Sequence, residues 1–224
     1  MKLAKSHIDV GLFTNNADAM LEFWQHEVGL PFEEMLPLGG GVRQHRHAMN
    51  GSVLKLNAAR DPLNGAPPSG YRELVITRGG LDAPRALVDP DGNHVVLVAP
   101  GDNGVAGIRV RMAVRSADAF RRFFAGAMEF EEVAADTYRC GDSLVSVIED
   151  ATVVRSEPMR APGFRYLTVQ VFDVDAEHRG ILERGGDEGR PPVTLGTTAR
   201  VSFVRDPDGN WIEVSQRASL TGAL

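Results

Sequence analysis

One cysteine, two tryptophans and three tyrosines in 224 residues leave little room for thiol or aromatic-cluster chemistry. The lone Cys140 cannot close an internal disulfide, and the paired cysteines of a zinc ribbon are missing. It also lacks a neighbouring base in sequence and reads as an inert thiol. No stretch approaches the ~18 apolar residues of a membrane-spanning helix. The first residues, MKLAKSHIDVGLF, lack the apolar core of a signal peptide. A cytoplasmic protein with no membrane partner is expected. Basic residues are in deficit: 24 Lys and Arg against 30 Asp and Glu give a net charge of −6. They are also scattered, without the cationic stripe that tracks phosphates, so nucleic acid is not an expected partner.

What is present is a repeat. Ala17-Asp18-Ala19-Met20-Leu21-Glu22-Phe23-Trp24 returns as Ala117-Asp118-Ala119-Phe120-Arg121-Arg122-Phe123-Phe124. Asp89-Pro90-Asp91-Gly92-Asn93 returns letter for letter as Asp206-Pro207-Asp208-Gly209-Asn210. Two matched segments in the same order mark a tandem duplication. The division it suggests is one unit over 1–102 and a second over 103–224.

Each unit begins alike. Residues 7–14 predict a strand, Asn15 to Asp18 a helix cap, and Met20, Phe23, Trp24 and Val28 fall at helical spacing. Gly29 ends that helix. Strands follow around 32–36, 42–48 and 52–57, turned by Gly39-Gly40-Gly41 and Asn50-Gly51, the latter a hairpin signal. The second unit repeats this as strand 108–114, helix 117–127 and strands to residue 148. Phe23, Trp24, Phe123 and Phe124 read as core, and the Asp-Pro-Asp-Gly segments as turns. Residues 166–216 then supply a further strand, a helix over 176–185 and three strands. In the first unit only residues 77–88 separate the strand at 73–76 from the Asp-Pro-Asp-Gly turn, too few for a helix and two strands. A helix has been lost there, and the bared sheet face needs cover from the other unit or a second chain; a homodimer or tight internal packing is expected.

The strand before Asn/Asp, the helix closing on Phe-Trp or Phe-Phe, the Val-Gly-Leu-Pro exit and the terminal Asp-Pro-Asp-Gly-Asn-x-x-Glu together resemble the vicinal oxygen chelate superfamily of glyoxalases, bleomycin-resistance proteins and extradiol dioxygenases. The resemblance spans about residues 6–216. It implies an α+β fold: tandem glyoxalase-like domains of paired βαβββ modules forming cup-shaped mixed β-sheets around a small-molecule cavity. It also implies a divalent metal, Mn, Fe, Zn or Ni, although metal-free binders belong to the same superfamily. Carried over place by place, the first-strand position falls on Asp9, with His7 two residues before it. Arg109 holds that position in the second unit. The fourth-strand position falls on Lys55, and on about Ser146 in the second unit. The last half offers Tyr166 and Glu213, where the first unit has Val96. His7, Asp9 and Glu213 are the implied metal ligands. They could meet only if the first quarter of the chain pairs with the last.

A second constellation comes from the residues themselves. In Val42-Arg43-Gln44-His45-Arg46-His47, strand alternation sets Arg43, His45 and His47 on one face and Gln44 and Arg46 on the other. If the odd-numbered face lines the cup, Arg43, His45, His47 and Lys55 converge on an anionic oxygen, with the two histidines as proton carriers. Tyr166 would join them. The alternative is an ordinary solvated strand. The expected function is a glyoxalase-like lyase or isomerase acting on a small carboxylate or diketone-type substrate by proton transfer, metal-assisted or not. A non-catalytic binder of an aromatic or antibiotic-like molecule, and an extradiol-type dioxygenase, are the alternatives.

Overall fold

A computed structural model describes residues 1–155, 158–222 and 224. Four modules follow one another. The first contains β1 (Asp9–Thr14), α1 (Ala17–Glu22), β2 (Phe32–Gly39), β3 (Val42–Met49) and β4 (Ser52–Ala59). The second has only β5 (Tyr71–Thr77), β6 (Arg85–Val88) and β7 (His94–Val98). The third holds β8 (Ile108–Val114), α2 (Ala117–Arg121), β9 (Glu131–Ala134), β10 (Thr137–Cys140) and β11 (Ser143–Glu149). The fourth holds β12 (Gly163–Gln170), α3 (Val174–Glu183), β13 (Asp187–Leu195), β14 (Ala199–Arg205) and β15 (Trp211–Arg217), and a last turn, α4 (Ala218–Thr221), follows it.

The duplication is visible in the backbone. After α1 and after α2 the chain widens into a π-type turn: Val28 N–H donates to Phe23 C=O and Leu30 N–H to Trp24 C=O, while Met128 N–H donates to Phe123 C=O and Phe130 N–H to Phe124 C=O. The extra residue per turn aims Phe23, Trp24, Phe123 and Phe124 inward, and all four are buried as expected. Ser116 and Asp173 cap their helices by accepting from Ala119 and Ala176 N–H. Asn16 provides no such side-chain bond. Instead Asn15 binds the following linker, donating to Ala59 and Asp61 C=O and accepting from Leu63 N–H.

The strands form two curled mixed sheets. One runs β13-β14-β15-β12-β1-β4-β3-β2 and the other β6-β7-β5-β8-β11-β10-β9. Each sheet therefore joins modules from both halves of the sequence. Antiparallel pairing of β1 with β12 brings the first and last quarters side by side, and pairing of β5 with β8 does the same for the middle two. The helices and the apolar faces of both sheets share one core that includes Leu12, Trp24, Leu54, Phe124, Leu167 and Ile181. The second module has no helix among the described residues, and one short strand, β6, occupies the span where the fourth module has a helix and two strands. Its bared face is not left wet: Leu74, Ile76, Val95 and Leu97 lie in the shared core. Among the described residues no helix is long and apolar enough to cross a membrane.

Both Asp-Pro-Asp-Gly turns are tied by their first aspartate. Asp89 accepts from Asp91 and Asn93 N–H, and Asp206 from Asp208 and Asn210 N–H. Asn210 in turn accepts from Gly70 N–H at 2.6 Å, so the last turn clamps the start of β5.

Candidate functional site

The helix-free face of the eight-stranded sheet carries a row of charged and polar side chains fixed by strand register. Arg190 on β13 lies opposite Phe203 on β14, and Phe203 opposite Glu213 on β15. Glu213 is in register with Thr168 on β12, and Thr168 with Asp9 on β1. Past β1 the row resumes with Lys55 on β4, Arg46 on β3 and Glu34 on β2. The swapped pairing is what assembles it, because Lys55 and Glu213 are far apart in sequence.

At its centre is a closed triangle. The Lys55 ammonium donates to Glu213 Oε2 and to Thr168 Oγ1, each at 2.7 Å, and the Thr168 hydroxyl donates to the same Glu213 oxygen at 2.6 Å. Lys55 is 4% exposed and Glu213 15%, so the carboxylate edge is the part that meets solvent. The ammonium also stands 5.5 Å from the centroid of the Tyr166 ring. The Tyr166 hydroxyl is anchored from the other side, accepting from Gln44 Nε2 and Asn57 Nδ2 at 3.2 Å each. Burial first, and then the Glu213 charge, push the Tyr166 hydroxyl far above its ordinary range, so it stays protonated. Asp9 is buried and equally well satisfied: Oδ1 accepts from the Lys5 ammonium at 2.6 Å and from Val53 N–H at 2.9 Å, and Oδ2 from Gln170. Arg46 binds Gln44 Oε1 and pairs with Glu34.

One end of the cup is closed. Leu63 and Met159, from the two linkers, pack on Phe13, Val42, Tyr166 and Trp211. Clefts of about 410 and 490 Å³ lie elsewhere, at junctions between modules, and neither contains Lys55 or Glu213. Neither of those clefts opens onto the polar row, and the end of the cup beneath Leu63 and Met159 is packed by the protein's own side chains.

Of the residues proposed from sequence, the sheet brings Asp9, Lys55, Tyr166 and Glu213 to one face. The other four stand apart. His7 precedes β1 and faces Asp142 at 3.6 Å. Arg43, His45 and His47 point to the opposite face of β3. His47 Nε2 meets Gln25 of the helical segment at 3.1 Å, and its ring packs on Phe32. Burial, and then neighbouring His45, lower the His47 pKa to about 4. It is neutral at pH 7 and supplies no cationic donor. His45 is also shifted down, by burial and Arg43. His178 of α3 is buried against Glu188. Cys140 is buried as well, and burial raises its thiol to about 12, in keeping with an inert role. Sequence reasoning missed Thr168, Asn57, Gln170 and Lys5.

The donor set does not fit a divalent metal. Among the described residues no three His, Cys, Asp or Glu side chains converge. Glu213 Oε2 is taken by Lys55 and Thr168, Asp9 by Lys5 and two further donors, and Tyr166 holds its proton. A divalent ion about 4 Å from the Lys55 ammonium would be repelled by roughly 8 kcal/mol at an effective dielectric constant of about 20.

Residues 106–214 match the family model described as Glyoxalase/Bleomycin resistance protein/Dioxygenase superfamily. Glyoxalase I from Zea mays is similar in structure, with a TM-score of 0.73 at 12% identity, covering 94% of this chain and 92% of that one. A protein from Bacillus subtilis taken to be a dioxygenase is similar with a TM-score of 0.68 at 14% identity, covering 96% and 86%. At these identities the likeness establishes the fold. Among curated proteins no significant sequence match is found.

Proposed function

We propose, for a chain whose residues 106–214 match the model of the Glyoxalase/Bleomycin resistance protein/Dioxygenase superfamily, that the eight-stranded cup is a lyase or isomerase site. It would act on a small carboxylate or diketone-type substrate by proton transfer. The observation that carries this reading is the Lys55–Glu213–Thr168 triangle. A partly exposed carboxylate beside a fixed cation is the pairing that enolisation needs. Glu213 takes the proton from the carbon next to the carbonyl, and Lys55 steadies the negative charge that develops on oxygen. Thr168 keeps the carboxylate aimed, and Tyr166 holds the ammonium from below. The superfamily's usual divalent ion has no part in these steps, because the donor set excludes it.

Solvent exchange tests the reading directly. Pyruvate and acetylacetone incubated with the protein in D2O should lose the protons next to the carbonyl faster than in buffer, followed by NMR, and Glu213→Gln should abolish the gain. A panel of such compounds showing no acceleration would leave the second reading, a non-catalytic binder. That reading has its own support: both carboxylates and both ammonium groups are already paired without a ligand. Extradiol cleavage finds least support. It requires two histidines and a carboxylate around iron, and His7, His45 and His47 all lie off the cup face. The proposed setting is cytoplasmic. The proposed assembly is a homodimer, for which the edge strand β2 offers the exposed Phe32, Met35 and Leu38.

A further inference from the structure

We propose that Lys55 has taken the place of the metal ion in this cup, and that the exchange changes the kind of ligand the cup accepts. The inference rests on the eight-stranded cup being the working site, as argued above, but not on its catalysing anything.

The four positions expected to surround a metal come in two pairs related by the pseudo-twofold axis between β1 and β12. The register shows it: Asp9 lies opposite Thr168 and Gly11 opposite Tyr166, while Gly11 neighbours Lys55 and Thr168 neighbours Glu213. Asp9 is thus equivalent to Tyr166, and Lys55 to Glu213. A lysine at one of two fourth-strand positions reaches across the axis and closes on the carboxylate at the other. The positive charge is supplied by the chain itself, between the Glu213 carboxylate and the Tyr166 ring.

A covalently held ammonium differs from a metal in one decisive way. It has three donors and no open coordination shell. Two are accounted for by Glu213 and Thr168, which leaves at most one N–H for a ligand that approaches over the solvent-facing Glu213 carboxylate, since Lys55 itself is only 4% exposed. A divalent ion with open positions can grip two neighbouring oxygens of a substrate at once; Lys55 can polarise one. The ligand class that fits is a compound presenting a single anionic or carbonyl oxygen on a flat apolar body. The adjoining apolar surface is Phe203, partly exposed and flanked at 6.5 and 5.9 Å by the buried rings of Tyr166 and Trp211, with Arg190 lying over Phe203 at 5.8 Å.

The test uses metal ions and two phenols. Mn²⁺, Ni²⁺ and Zn²⁺ are titrated by calorimetry into wild-type protein, Lys55→His and Lys55→His/Glu213→Gln. Wild type should take up no stoichiometric ion. Lys55→His should gain a 1:1 site at least tenfold tighter, and the double variant should lose it. A 1:1 ion on wild type that Glu213→Gln removes would overturn the proposal, as would a folded Lys55→His that gains nothing. If Lys55→His fails to fold, Lys55→Ala replaces it, and the wild-type titration still decides the first point. The second arm follows 4-nitrophenol and 4-nitrocatechol by absorbance. Wild type should bind them within a few-fold of each other. A tenfold preference for the catechol, or binding of neither, would remove the single-oxygen ligand class. Loss of proton exchange with a metal-free cup would discard the catalytic reading and leave the ammonium in place, whereas a stoichiometric ion would do the reverse.

Discussion

The two curled sheets were built from the same unit, yet their helix-free faces have little in common. The positions held by Asp9, Lys55, Tyr166 and Glu213 in the larger sheet correspond in register to Arg109, Ser146, Glu73 and Val96 in the smaller. In the larger sheet, opposite charges meet across the axis and are buried. In the smaller, Glu73 pairs with Arg111 near solvent, Arg109 is held by the Asn103 carbonyl, and Ile148 stands 67% exposed. A backbone can therefore be copied with its π-turns and clamps intact while the face it presents drifts freely. Packing constrains the shared core on one side of each sheet and leaves the other side freer to differ.

The largest effect that would sharpen this contrast is on turnover. Glu213→Gln should cut proton exchange by about 10²–10⁴-fold, the usual worth of a positioned base, while Ser146→Ala in the smaller sheet should leave the rate within twofold. Equal losses would mean that the two faces are not functionally distinct. Stability comes next. Lys55→Met strands a mostly buried carboxylate and should cost about 2–3 kcal/mol, below the ~3–5 kcal/mol of a fully buried pair because Glu213 keeps some solvent and Thr168. Arg111→Met, at a half-exposed pair, should cost no more than ~1 kcal/mol. Urea melts of both variants give the comparison directly, and similar costs would contradict it.

The twin turns offer a difference in pH dependence. Asp206 is wholly buried, and burial first raises its pKa to about 7, against opposing hydrogen bonds from Asn210. In the unfolded chain the same carboxyl titrates near ~3.9. The folded protein thus holds this proton more tightly. The contribution to stability is complete below the unfolded value and is lost as the pH rises to and through about 7. The slope approaches ~1.4 kcal/mol per pH unit in that window. Asp206→Asn should flatten it. Asp89, also raised by burial but less enclosed, should show the same trend more weakly when replaced by Asn. Denaturation midpoints between pH 4 and 7 that fall equally in wild type and Asp206→Asn would rule this out.

Much of the architecture was legible in the sequence because it rests on local signals. Paired Phe-Trp and Phe-Phe closures, glycine exits and the repeated turn each dictate their own structure, and the span at 77–88 is physically too short for the missing helix. The swapped sheets were not legible, since strand pairing across more than a hundred residues leaves no local mark. The facing of β3 was misread although the sequence contained the answer. A two-residue Asn50-Gly51 turn sets Met49 against Ser52, hence Arg46 against Lys55 and His47 against Leu54. Leu54 and Leu56 mark the core side of β4, so His45 and His47 had to share it. The histidines drew attention by their chemistry, but register decides which side chains meet. Thr168 was missed for the opposite reason: threonine in a strand is unremarked until Glu213 lies beside it.

The smallest expected effect is the sharpest probe of how far the two faces have parted. Asn57 and Ile148 occupy equivalent places, each two residues beyond the fourth-strand position on its own sheet. Asn57 is fully buried, donating to Leu12 C=O and to the Tyr166 hydroxyl and accepting from Gln44. Isoleucine there would take one partner each from the Leu12 carbonyl, the Tyr166 hydroxyl and the Gln44 amide, the last two keeping each other, and should cost about 1–3 kcal/mol. Ile148→Asn, at the exposed twin position, removes little packing and strands nothing, so it should change stability by no more than about 0.5 kcal/mol. A larger loss in urea melts would show that the smaller face is covered in solution, by a second chain or a ligand, and that its openness here is not its working state.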